Sequence, residues 1–167
     1  MPIDWTEYHR FQEREGYCGV AVVQMILENA GINKSQKSIA KFIYKAWFGT
    51  PRVLILSYLS KYFNIVNYKT NAKISDIAFH LKRNNVVLVN WFDDNLGQGD
   101  GDGHYSIVAS CEKGVITLVD PSNQRSGIWS MKTKDFSSRW FDYTDLNNRT
   151  YSEGYILWVD PKSKRLK

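Results

Sequence analysis

His104-Tyr105-Ser106-Ile107-Val108-Ala109-Ser110-Cys111-Glu112-Lys113-Gly114-Val115-Ile116-Thr117-Leu118-Val119-Asp120 is the stretch whose reading decides the fold. Two apolar runs, His104 to Ala109 and Val115 to Asp120, are turned by Glu112-Lys113-Gly114 and read as an antiparallel hairpin. A hairpin centred near Lys113 sets His104 and Asp120 side by side at one sheet edge. An imidazole oriented by a carboxylate is half of a nucleophilic catalytic set.

Outward from the hairpin, Val86 to Trp91 is apolar enough to be a central strand. Shorter strands are expected at Ile65–Tyr68, Gly127–Met131 and Tyr155–Asp160, with short helices at Ser75–Arg83 and Lys134–Phe141. Upstream the period changes. Residues from about 18 to 30 are apolar nearly all round and too long for a typical strand, so they read as a buried helix ended by Gly31. Ser35 caps a second helix over about 36–47, and Pro51 opens a third running to about Phe63. Helices first and an antiparallel sheet second is an α+β pattern.

The first helix begins at Cys18, within Gln12-Glu13-Arg14-Glu15-Gly16-Tyr17-Cys18-Gly19. A thiol at a helix N-terminus feels the positive end of the dipole, which favours the nucleophilic thiolate. The amide of Gln12, six residues upstream, is a candidate oxyanion donor. Cys18, His104, Asp120 and Gln12 are therefore the candidate catalytic residues. Cys111 reads as a small strand residue without chemistry. His80, on a short helix beside Phe79 and Leu81, reads as partly packed or surface, and His9 has no partner that the sequence can name.

The 167 residues suit one domain, 1–167, with 162–167 expected to be a disordered basic tail. The net charge of +5 is concentrated there: Lys162, Lys164, Arg165 and Lys167 leave the body close to neutral, with no basic stripe. That argues against a nucleic-acid partner. The N-terminus has no charged region followed by an apolar one, and no apolar run could span a bilayer. Two cysteines without a pairing logic fit a reducing, cytoplasmic setting. No metal or cofactor is expected, because the cysteines and histidines lack paired ligand spacing. The acidic run from Asp93 to Gly103 does not fit a calcium loop. It reads as a mobile connection of solvated carboxylates, or more functionally as a lid that raises the His104 pKa and favours cationic substrates. Trp91, Trp129, Trp140 and Trp158 read as core and cleft walls.

Taken together, Gln12…Tyr17-Cys18-Gly19-Val20-Ala21 with Met25-Ile26-Leu27, then Gly103-His104-Tyr105-Ser106-Ile107-Val108, then Val119-Asp120-Pro121-Ser122, resemble the C39-like peptidases. These are relatives of the peptidase domains of bacteriocin-exporting transporters. The resemblance runs from Gln12 to the final strand near Asp160 and preserves the order Gln, Cys, His, Asp. It implies a papain-like fold with Cys18 as nucleophile, His104 as base and acid, Asp120 as orienter, and Gln12 with the Cys18 amide as oxyanion hole. The implied protein is a monomeric cysteine peptidase or amidase with a peptide or peptide-like substrate. Transporter-type members carry an acidic residue before the nucleophile, where this chain has Tyr17. Two other readings use the same residues: a thiol-dependent acyl- or aminoacyl-transferase, and a catalytically silent peptide-binding module.

Overall fold

The hairpin expected from the sequence forms, and it is the hinge of the architecture. The computed structural model describes residues 2–97, 101–143 and 151–166. In chain order the helices are α1 (Cys18–Asn29), α2 (Gln36–Ile43), α3 (Arg52–Leu59), α4 (Ile74–Lys82) and α5 (Thr133–Ser137). The strands are β1 (Val66–Lys69), β2 (Val86–Asp93), β3 (Asp102–Glu112), β4 (Val115–Val119), β5 (Ile128–Lys132), β6 (Phe141–Tyr143), β7 (Tyr151–Glu153) and β8 (Tyr155–Val159). A six-stranded sheet runs β1-β8-β2-β3-β4-β5, antiparallel throughout, and β6 pairs with β7 in a separate ribbon.

The sheet is covered on both faces. One face, presenting Leu88, Tyr105, Ile107, Val119 and Leu157, packs against α1, α2 and α3 through Val23, Leu27, Ile39, Ile55 and Leu59. The other, presenting Val87, Val89, Trp91, Val108 and Leu118, packs against Ile77 of α4 and Phe136 of α5. This explains why Val86 to Trp91 is apolar at every position but Asn90: β2 is central and buried on both sides. α1 is the central helix, with Val20 to Leu27 entirely buried, so its apolarity all round follows from its location.

The register of β3 against β4 positions the site. Lys113 and Gly114 both take positive φ (53° and 76°), as a two-residue hairpin turn demands. Beside the turn, Glu112 opposes Val115 and Ser110 opposes Thr117. Continued unchanged, that ladder would bring Ile107 level with Asp120 and put His104 and Asp120 on opposite faces. A bulge at Ala109 intervenes, so Val108 opposes Leu118 and Ile107 opposes Val119. Ser106 then comes level with Asp120, and His104, two residues away, shares its face.

Several expectations need correction. α2 ends at Ile43 rather than near 47, because Lys45 and Gly49 close a bridge instead. Pro51 is the N-cap of α3 rather than its first residue. The ribbon β6–β7 had no sequence signal, since each strand has only three residues. The basic tail is docked as far as Arg165: Phe63 bridges Lys164, the Arg165 amide donates to the Tyr62 carbonyl (2.8 Å), and Lys164 Nζ donates to the Ala30 carbonyl (2.7 Å). Among the described residues no helix is long and apolar enough to cross a membrane.

Candidate active site

Cys18 is the first residue of α1, and its helix end has no side-chain cap and no acidic residue in its first turn. The first amides of the helix therefore keep their donors for another acceptor. His104 lies near the start of β3, opposite Trp91 of β2, and Trp91 meets the imidazole edge-on at 5.5 Å. The ring is buried, with Nε2 2.6 Å from Asp120 Oδ1. A carboxylate can only accept, so Nε2 carries a proton and Nδ1 is left for the thiol.

Asp120 is fully buried just beyond β4. Oδ1 also accepts from the Ser122 amide at 2.9 Å, and Oδ2 accepts from Trp129 Nε1 at 2.7 Å and Arg125 Nη1 at 3.1 Å. Burial alone would push this carboxyl up. The bond to His104 and its charge, helped by the Ser122 and Trp129 donors, outweigh burial and hold it down to about 2. For His104 burial favours the neutral ring, but the bonds and charges of Asp120 and Cys18 prevail and raise it to about 10. The imidazole is thus held protonated between the Asp120 carboxylate and the Cys18 sulfur. Cys111, half-buried in β3, has its thiol pushed up by desolvation alone.

Gln12 is placed by a frame of its own. The buried Gln36 side chain of α2 donates to the Phe11 carbonyl and accepts from the Glu13 amide, both at 2.9 Å, while also donating to Gln24 of α1. Between those anchors the Gln12 amide N–H donates to the Pro121 carbonyl (2.8 Å), and Asn123 Nδ2 donates to the Gln12 carbonyl (3.0 Å). Gln12 therefore sits against the loop that leaves Asp120. Its side-chain Nε2 donates to the Arg14 carbonyl at 3.1 Å. His9, for which the sequence offered no partner, donates through Nε2 to the Asp120 carbonyl at 2.8 Å.

A narrow cavity of about 100 Å³ opens beside Cys18, lined by Gly16, Phe48, Gly49, Thr50, Gly103 and Tyr105 together with the polar side chains of Arg52, Asn90, Asp102, Asp142 and Tyr143. The polar cluster there was not legible in the sequence. Arg52 Nε donates to Asn90 Oδ1 (2.6 Å), and Asn90 Nδ2 donates to Asp142 Oδ2 (2.8 Å). Asp142 presses so closely on Gly103 that a β-carbon there would collide with its carboxylate. Burial pushes the Asp142 carboxyl up, against the donors from Asn90 and the Tyr143 amide.

The acidic run departs from its expectation. Asp93 and Asp102 are paired in the β2–β3 ladder, so the loop is shorter than 93–103. Asp93 is held by both terminal nitrogens of Arg125, and Asp94 accepts from Arg139 Nε at 2.8 Å, so neither is a freely solvated carboxylate. The groups that raise His104 are Asp120 and Cys18, not the aspartates of this loop. Asp100 lies outside the described residues. Trp91 and Trp140 are core, while Trp158 stacks on His80 at 3.9 Å. Among the described residues no group of three metal-ligating side chains converges.

Known proteins share this arrangement of elements. The peptidase domain of Streptococcus ComA, a bifunctional ABC transporter of a quorum-sensing pathway, superposes with a TM-score of 0.66 over 91% of this chain and 98% of its own, at 15% identity. A double-glycine-motif protease from an AMS/PCAT transporter, solved in complex with a leader peptide, superposes with a TM-score of 0.61 over 89% of this chain and 88% of its own, at 12% identity. An uncharacterised protein of Methanothermobacter marburgensis is 30% identical over 116 residues, 68% of this chain and 72% of that protein. The profile of the Peptidase C39 family matches residues 6–163, and the chain belongs to that family.

Proposed function

We propose that the protein is a cysteine peptidase in which Cys18, His104 and Asp120 form the catalytic triad and Gln12 joins the Cys18 amide as oxyanion hole. The observation that carries this reading is the 2.6 Å bond between buried His104 and buried Asp120, with Cys18 close enough to raise the imidazole further. Family membership and the fold of transporter peptidase domains support it.

In acylation Cys18 Sγ attacks the carbonyl carbon of a peptide bond. The oxyanion accepts from the Cys18 amide, left uncapped by the helix, and from the Gln12 side chain, whose amide has a second N–H besides the one on Arg14. His104 gives its proton to the departing amine nitrogen, leaving a thioester. In deacylation neutral His104 takes a proton from water, the hydroxide adds to the thioester carbon, and the thiolate leaves as the imidazolium re-forms. Asp120 compensates the imidazolium charge in each half-reaction. The narrow cavity beside Cys18, walled by Gly16, Gly49 and Gly103, suits a small residue of an extended peptide at the scissile bond.

The test is incubation with a peptide library, reading cleavage products and covalent adducts by mass spectrometry. Wild type is expected to cleave and to be alkylated by iodoacetamide at Cys18 well before Cys111. Cys18→Ala and His104→Ala are expected to abolish turnover. Retention of full turnover by either variant rules the mechanism out. Adding candidate amines separates hydrolysis from acyl transfer, since a transferase yields the amide product.

A further inference from the structure

The mechanism above leaves one well-built group unused. Arg125, in the loop between β4 and β5, places Nη1 3.1 Å from Asp120 Oδ2 and 2.6 Å from Asp93 Oδ2, while Nη2 reaches Asp93 Oδ1. Its guanidinium lies 4.8 Å over the ring of Trp129, which itself donates to the same Asp120 oxygen, and 5.6 Å from the Trp91 ring. The side chain is only 10% exposed and Asp93 only 17%. A planar fork between two carboxylates, set against two adjacent indoles, is a fixed arrangement rather than a wandering surface pair.

We infer that Arg125, gripped by Asp93, is a positioning residue that sets how tightly Asp120 holds the His104 proton. This rests on the triad reading and extends it. His104 must be protonated in one half-reaction and neutral in the next. When it is neutral, a fully buried Asp120 with no other cation would be an uncompensated charge. Arg125 keeps that charge compensated in both states, so the proton can depart. Asp93 works in the opposite sense, because it occupies the guanidinium and limits how much of the cation Asp120 feels. The sequence is therefore an alternating chain of charge: His104, Asp120, Arg125, Asp93.

The surroundings allow the signs to be worked out. The ionisable groups facing the pair are Cys18 from α1, His9 on the Asp120 carbonyl from the N-terminal segment, Arg125, and Asp93 at the end of β2. Asp102, Asp142, Arg52 and Tyr105 lie on the Cys18 cavity side. Removing the Arg125 charge leaves Asp120 a stronger electrostatic partner for the imidazolium, so the His104 titration moves to higher pH. Removing the Asp93 charge frees Arg125 to act wholly on Asp120, so the titration moves to lower pH. A merely structural contact would not produce opposite signs.

The experiment is an NMR titration of the His104 ring in wild type, Arg125→Gln, Arg125→Lys and Asp93→Asn, with the alkaline limb of kcat/KM measured alongside. The His104 titration is expected to rise by about one pH unit in Arg125→Gln and to fall by a smaller amount in Asp93→Asn, with Arg125→Lys between Arg125→Gln and wild type. kcat is expected to drop about tenfold in Arg125→Gln with KM little changed, as for an interaction that matters in the chemical steps. Shifts of the same sign in Arg125→Gln and Asp93→Asn, or no shift in either folded variant, overturn the inference. If Arg125→Gln does not fold, the sign in Asp93→Asn still decides. The ring titration needs no turnover, so an inert wild type with opposite shifts refutes the peptidase reading while upholding the positioning role.

Discussion

Two carboxylates, Asp120 fully buried and Asp142 partly so, flank the Gly103–His104 step, and they behave in opposite ways. Asp120, on the hairpin side, is ringed by His104, the Ser122 amide, Trp129 and Arg125, and its carboxyl falls to about 2. Asp142, on the cavity side, has Asn90 and the Tyr143 amide as donors, and burial pushes it up. The residue type is the same, and it is the deeper carboxylate that stays ionised, so depth does not decide the outcome and the donors do. Burial makes a carboxylate expensive, and the number and charge of its partners decide whether it becomes a fixed anion or a group that prefers its proton.

Replacing the better-satisfied member should have the larger consequence. Asp120→Asn is expected to lower kcat by roughly 10²- to 10⁴-fold, because an amide nitrogen cannot accept from His104 and the wrong ring tautomer follows. It should also change the acid limb of stability. With its folded value depressed to about 2, Asp120 contributes about 2 kcal/mol above the unfolded carboxylate value, lost as pH falls from about 4 through 2. Denaturant unfolding of Asp120→Asn should lack that acid-dependent loss, and an unchanged acid limb would remove Asp120 from the account.

Gly103 joins the two corners, and Gly103→Ala drives a methyl group into Asp142 while shifting the residue that precedes His104. The expected cost is about 1–3 kcal/mol in stability from overpacking, with kcat/KM down roughly 10- to 100-fold from displacement of the imidazole. Adding Asp142→Asn should not restore the double variant, since the amide has the same bulk. Recovery of activity in the double variant would show that charge, not space, governs this contact.

The smallest effect is expected for Asp142→Asn alone. The amide keeps the shape and one acceptor oxygen, so only one of the two donors, Asn90 Nδ2 or the Tyr143 amide, loses its acceptor, and turnover at neutral pH should stay within about threefold. For a carboxyl whose folded value is raised, stability falls as pH climbs from the unfolded value through the folded one. Asp142→Asn should therefore be relatively more stable than wild type at neutral and alkaline pH than at pH 4, by thermal unfolding. A loss of activity comparable to Asp120→Asn would mean that the two corners are not distinct.

How much of this was legible in the sequence follows from the range of each interaction. α1 and β2 were readable because full burial leaves an apolar run of the right length, and the Ser35 cap of α2 was readable because its signal is local. The pairing of His104 with Asp120 came from hairpin logic, which found the right neighbours without foreseeing the bulge at Ala109 that puts them on one face. The loop 93–103 was misread because the partners of its aspartates, Arg125 and Arg139, lie more than 30 residues away. Arg52, Asn90 and Asp142 were missed for the same reason: each is unremarkable alone, and only the crossing of α3, β2 and β6 makes them a cluster. Gln36, which anchors both neighbours of Gln12, looked like an ordinary first-turn helix residue.

The Ala109 bulge also divides the hairpin into parts with different tolerance for changes in length. Residues added at Lys113–Gly114 lengthen a solvent-side turn and leave every pairing intact, which makes that tip a site for grafted epitopes or reporters. One residue added or removed between Ala109 and His104, or between Leu118 and Asp120, reverses the parity that brings imidazole and carboxylate together. Engineering of this protein, and natural drift of its relatives, should accordingly show length variation at the turn and constant spacing on the site side of the bulge.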